Sequence, residues 1–307
     1  MKRRDLILAL LVVMLWGGNF TVIKLGLSGV PPMLLAALRY VFAVFPAIFF
    51  VKKPSIQWKY IIAYGMAVGV GQFSCLFYAM DIGMPAGISS IVLQSQAFLT
   101  PLFAAILLKE SIKGSQIIGL TVAGIGLCLI GGIIGDSGLS SVPFGAFLLT
   151  LIAASFWAIS NIILRYAKNE AEAQEKTLDM MGMVVWSSLV PPIPLIGIAL
   201  LLDSPEVLMN SFSNINFISV FSVLYLALCA TLFGYGVWSS LMGKYPAAKV
   251  APLSLMVPIT GLIVSQIVLK EQLTSMQWIG GIVIILGLLI TNFGFAPIMT
   301  IFKSKDV

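Results

Sequence analysis

Residues Leu6 to Gly26 read LILALLVVMLWGGNFTVIKLG, with a single charge, Lys24, near the far end. At about 1.5 Å of rise per residue this run makes a helix roughly 30 Å long, the thickness of the hydrocarbon core of a bilayer. The preceding Met1-Lys2-Arg3-Arg4 imitates the start of a secretory signal. The apolar run is too long for one, and no small-x-small cleavage site closes a short core. The stretch therefore reads as a first membrane-spanning helix.

Outward from it the same pattern recurs. Further apolar segments lie near 33–51, 60–80, 86–108, 116–134, 143–164, 180–201, 217–241, 250–269 and 277–298, which makes ten. Composition agrees. Of 307 residues 59% are hydrophobic and 10% charged, and the mean hydropathy is +1.04. A soluble domain carries about 25% charged residues, and at this size it leaves a large exposed shell that so apolar a chain has nothing to cover with. The expected fold is all-α and membrane-integral, with ten transmembrane helices. Ten helices of about 20 residues leave roughly 100 for loops and tails, too few for a soluble catalytic domain.

The basic residues give the chain a direction. With the N-terminus inside, fifteen Lys and Arg fall on inner segments and one, Lys270, falls outside, while Lys24 and Arg39 lie within spans. Positive charge collects on the cytoplasmic side, so both termini are expected there. The longest connections, near 165–179 and 202–216, read as polar loops.

Several chemistries are excluded. The chain has no His, which removes imidazole metal sites, His-based triads and His proton relays. Cys75, Cys128 and Cys229 lie in apolar stretches without metal spacing. The one Gly-Lys pair, Gly243-Lys244, has Trp238 where a phosphate-binding loop needs Gly. The acids are dispersed, unlike those of membrane enzymes that hold metals. Scattered basic residues in short loops do not suit nucleic acid. No enzyme activity, catalytic residue, cofactor or metal is expected, and the partners are a small-molecule substrate and the bilayer. A passive channel or scaffold is the alternative class.

The second half echoes the first. Leu108-Lys109-Glu110 recurs as Leu269-Lys270-Glu271 at an offset of 161, where Gln116 also meets Gln277, Gly119 meets Gly280 and Gly126 meets Gly287. Trp16 and Lys24 match Trp157 and Arg165 at an offset of 141. Five helices per half is an odd number, so the halves, 1–140 and 141–307, are expected to insert with opposite topology, as in many secondary transporters. Gly65 with Gly69, and Gly131 with Gly135, form small faces for close helix packing. Pro46, Pro101, Pro194, Pro252 and Pro258 in spans serve either as hinges or as static kinks.

Polar groups in spans are functional candidates. Acids such as Asp5, Asp81, Asp136, Glu110 and Glu271 sit at span ends or beyond. Arg39 lies roughly 10 Å into the second span. It either grips a substrate carboxylate with its planar fork, snorkels to the headgroups or pairs with Asp81. The neutral candidates are Trp16, Asn19, Gln72, Gln94, Gln96, Trp157, Asn161, Tyr235 and Ser254. Each reads alone as interhelical glue, and together as the lining of a central cavity between helices one, three, four, six, eight and nine.

The chain resembles the EamA-type transporters of the drug/metabolite transporter superfamily over nearly its whole length. The resemblance rests on Leu15-Trp16-Gly17-Gly18-Asn19-Phe20, Leu38-Arg39-Tyr40, Gly83-Met84-Pro85-Ala86-Gly87 and Val92-Leu93-Gln94-Ser95-Gln96-Ala97-Phe98. Val250-Ala251-Pro252-Leu253-Ser254-Leu255 and the two Lys-Glu loops complete it. It implies a ten-helix inverted-repeat fold and export of amino-acid metabolites, cysteine and O-acetylserine above all, across a bacterial cytoplasmic membrane, with broad-specificity export of other amino acids or drugs as the alternative within transport.

Overall fold

A computed structural model describes residues 1–131 and 142–294. Among them there is no strand, and eight helices are long and apolar enough to cross a membrane. These are α1 (Arg3–Leu27), α2 (Pro32–Phe49), α3 (Trp58–Asp81), α4 (Ala86–Leu108), α6 (Phe144–Ala173), α7 (Met180–Leu202), α8 (Phe217–Lys244) and α10 (Ser275–Phe293). Two apolar helices are shorter, α5 (Gly114–Ile130) and α9 (Leu253–Val268). Gly135, Asp136, Lys303, Lys305, Asp306 and the boundary at 140 lie outside the described residues.

Local chemistry places the helix ends. Pro32 opens α2, where a missing N–H costs nothing. Pro46 interrupts it, so the α-helix stops at Val44 and a 3₁₀ turn follows over Ala47–Phe49. Gln116 and Gln277 each reach back to a backbone N–H at the start of their helix, that of Lys113 at 2.8 Å and that of Thr274 at 3.0 Å. Lys109 and Lys270 both turn the chain in the left-handed region, at φ 56° and 55°.

Two connections differ from the loops expected. The 165–179 stretch is helical through Ala173, because Arg165 to Ala173 is rich in helix formers and carries an i,i+4 pair, Lys168–Glu172. The 202–216 stretch contains the helix Pro205–Ser213, capped by Ser204.

Side chains such as Leu201 (85% exposed), Phe217 (83%) and Ile193 (81%) stand outward, a surface suited to lipid and not to water. Inside, glycines let backbones meet. A Cβ on Gly119 would lie 2.7 Å from the Gly287 carbonyl, and one on Gly287 would lie 2.8 Å from that of Gly119. Gly126 and Gly280 stand in the same reciprocal relation at 2.7 and 2.8 Å. So α5 and α10 form one close seam. Gly65 and Gly69 likewise admit α7, at the Ser187 carbonyl and the Pro191 ring.

Besides the breaks in α2 and α7, four helices carry irregularities that come in matched pairs. A π-helical segment occupies Gly65–Gln72 in α3 and Tyr225–Phe233 in α8. A 3₁₀ segment breaks α4 at Leu93–Ser95 and leads into α9 at Ala251–Met256, after a helical turn at Ala247–Val250. At one end of the molecule the first turns of α4 pack tightly on the last turns of α9. At the other end, α4 packs on α6 instead, through Gln96, Thr100 and Glu110. There the start of α1 is tied to the end of α8, with Asp5 Oδ2 accepting from Lys244 Nζ at 2.8 Å and from the Tyr245 hydroxyl at 2.5 Å.

Candidate functional site

Arg39 is the deepest charge in the described residues, with 3% of its surface exposed. It neither snorkels nor pairs with Asp81. Its Nε and Nη2 donate to Thr231 Oγ1 at 3.2 and 3.0 Å, and the guanidinium lies 3.9 Å from the centre of the Phe73 ring. Thr231 Oγ1 in turn donates a hydrogen bond to the Leu226 carbonyl at 2.8 Å, a reach of five residues that suits the π-helical spacing there. Nη1 is buried and has no partner. No carboxylate among the described residues forms an ion pair with this cation. A charge so placed costs several kcal/mol. One ring face and one hydroxyl offset part of that.

Arg39 lines a cavity of about 20 Å³. That holds roughly one water. Its walls bring together Tyr40, Tyr64, Ser187, Ser188, Thr231 and Tyr235, with Gly65, Val68 and Gly69 from the π-helical part of α3 and Phe73 just after it. The Ser187, Ser188 and Thr231 hydroxyls already donate to backbone carbonyls of their own helices, so the group left to take an anion is the guanidinium fork, which matches a carboxylate.

Of the sequence candidates, Arg39 and Tyr235 line this cavity, from α2 and α8. Trp16 joins it through Tyr235, at 5.3 Å between ring centres, and also meets Trp238 at 5.1 Å with the rings tilted by 50°. The Trp16 indole N–H is spent on the Ala230 carbonyl at 2.9 Å. Asn19 and Gln72 are buried, and each has a side-chain oxygen without a partner. Gln96 and Asn161 form a separate group, in which Asn161 Nδ2 donates to Gln96 Oε1 at 2.9 Å and to Thr100 at 3.1 Å. Trp157 is half-buried on the same helix as Asn161, Gln94 is buried in the 3₁₀ turn of α4, and Ser254 is half-buried in that of α9. Phe73, Ser187, Ser188 and Thr231 were not singled out from the sequence. A lone Ser, Thr or Phe in an apolar run carries no signal until the helix opposite is known.

Comparisons with known proteins bear on this arrangement. The model of the EamA-like transporter family matches residues 4–132 and 144–293. A protein of Escherichia coli (strain K12) named "Probable amino-acid metabolite efflux pump" is 41% identical, over 96% of this chain and 96% of its own. Its namesake in Salmonella typhimurium is 42% identical, over 96% and 97%. A "Probable terminal-alkyne amino-acid exporter" of Streptantibioticus cattleyicolor is 23% identical, over 92% and 91%. One crystal structure overlays on 95% of this chain and 97% of its own with a TM-score of 0.62 at 15% identity, a likeness of fold. With both halves matched and full-length relatives above 40% identity, the chain belongs to the EamA-like transporter family.

Proposed function

We propose that this transporter exports small amino-acid metabolites, cysteine and O-acetylserine among them. It works by alternating access between two inverted five-helix halves, 1–140 and 141–307, in a bacterial cytoplasmic membrane with both termini inside. The observation that carries the reading is the buried guanidinium of Arg39, which lines the cavity, has no carboxylate partner and keeps Nη1 without a hydrogen bond. A substrate carboxylate supplies the missing anion. The substrate's amino group and side chain then lie toward Tyr235 and Trp16. The inverted halves are supported by the matched π and 3₁₀ irregularities and by the reciprocal glycine contacts. The relatives' names support the class of cargo. The aromatic group of Trp16, Tyr235 and Trp238 favours one wider reading, cargo with apolar side chains.

The test is uptake of labelled cysteine, O-acetylserine and a panel of other amino acids into inside-out vesicles. Saturable uptake of the first two is expected. It should persist when a protonophore collapses the proton gradient, because the chain has no His and its acids stand at helix ends. Uptake that rises linearly without saturation, or saturable uptake of other classes only, overturns the assignment.

A further inference from the structure

The two Lys-Glu turns share a sequence and make different contacts. At one end of the molecule Glu271 accepts from the opening amides of α4, Oε1 from Ala86 N–H at 2.7 Å and Oε2 from Gly87 N–H at 2.9 Å. A carboxylate there offsets the positive end of the helix dipole and fills two orphan donors. Beside it Lys24 Nζ donates to the Met80 carbonyl, in the field of Glu271 and Asp81. This end is shut. Ser90 Oγ donates to the Pro258 carbonyl at 3.3 Å, and a Cβ on Gly87 would lie 2.5 Å from Ser265 Oγ.

At the other end Glu110 caps nothing. It pairs with Arg165 at 2.7 Å, both side chains about half exposed, at 50% and 48%. Yet the groups used by Glu271 have counterparts here. At the offset of 161 Pro85, Ala86 and Gly87 correspond to Pro246, Ala247 and Ala248, and Met80 corresponds to Leu241. At the offset of 141 Lys24 corresponds to Arg165.

Building on the two-halved carrier above, we propose that Glu271 and Glu110 are alternate caps whose exchange sets which end of the carrier is open. In the opposite state Glu110 leaves Arg165 for the amides of Ala247 and Ala248, and the start of the α9 segment closes on α4. Arg165 turns to the Leu241 carbonyl. Glu271 releases Ala86 and Gly87 and pairs with Lys24 at a now exposed edge. Each state then holds one capped helix start and one exposed acid–base pair, so the swap conserves the contacts while reversing the access. Both glutamates are positioning residues and touch no cargo.

The full-length chain, purified in detergent with Cys75, Cys128 and Cys229 replaced by Ser, carries two spin labels at a time. One pair is Ile82→Cys with Gln272→Cys, across the Glu271 end. The other is its counterpart, Gly243→Cys with Ser111→Cys, across the Glu110 end. Glu271→Ala should lengthen the first distance distribution and shorten the second, with the ratio of the two states changing roughly 2- to 30-fold, the range of a helix cap. Glu271→Gln keeps one acceptor without the charge, should fall between, and stands in if the Ala variant is not recovered folded. Adding Glu110→Ala to either should drive the distributions back toward wild type. A loosened fold would instead lengthen both pairs. Both pairs moving together, neither moving, or Glu110→Ala adding to the first change overturns the proposal. Flux of O-acetylserine in wild-type proteoliposomes is read separately. Opposite shifts without flux sustain the caps and remove the cargo, while flux without opposite shifts does the reverse.

Discussion

Arg39 is the residue on which the chemistry turns. Replacing it with Gln removes a charged hydrogen bond to cargo, so half-saturation should weaken about 10- to 100-fold. Arg39→Lys keeps the charge but loses the fork, and a compact ammonium serves Thr231 or the carboxylate, not both, so it should fall between. Thermal unfolding in detergent separates this from a structural role, because a buried cation without an anion is a liability in the empty protein. Arg39→Gln should unfold no earlier than wild type, and a marked drop in its midpoint with unchanged half-saturation would make Arg39 a packing residue. As a candidate, Arg39 was legible because it is a lone cation inside an apolar run. Its surroundings were not. Thr231 sits 192 positions away in YLALCATLF, where nothing local distinguishes it.

At the scale of elements, the seam between α5 and α10 makes the clearest demand. A Cβ on Gly126 meets backbone atoms that cannot yield, the Gly280 carbonyl at 2.7 Å and the Ile284 nitrogen at 3.0 Å. Overpacking of this kind costs about 1–3 kcal/mol, so Gly126→Ala should lower the unfolding midpoint. Gly124→Ala, two residues away with nothing within 4 Å of its new methyl, should leave it level or raise it. Equal effects of the two would dissolve the seam argument. The helices themselves were readable because a bilayer enforces length and apolarity, as Leu6 to Gly26 shows by falling inside Arg3–Leu27. The glycine pairs at the offset of 161 were readable as repeats, though not as partners. The π segments were not readable, since GMAVGVGQ reads as ordinary apolar helix and its wider turn is imposed by neighbours. The helix over 165–173 was missed because its charge reads as loop, while the pairs Lys168–Glu172 and Arg165–Glu110 hold that charge on a continuous helix.

For the whole molecule, the imbalance of basic residues predicts its orientation. An enzyme reporter fused after Val307 and active only in the cytoplasm should be active, and one active only outside should be silent. The reverse result turns the carrier over and exchanges the sides assigned to the Glu110 and Glu271 ends. One consequence of Arg39 reaches beyond the protein to the membrane voltage. A guanidinium keeps its proton throughout, so the carrier takes that charge across whatever part of the field it moves through when loaded, and brings it back when empty. The two passages cancel, so in the uncoupled alternating-access export proposed above the charge displaced in a full turnover is the cargo's own. For a zwitterion that is zero. Under that proposal the roughly 2.3 kcal/mol per charge that 100 mV supplies neither drives nor opposes export, and a polarised cell and a depolarised one should come to the same final ratio of metabolite outside to inside.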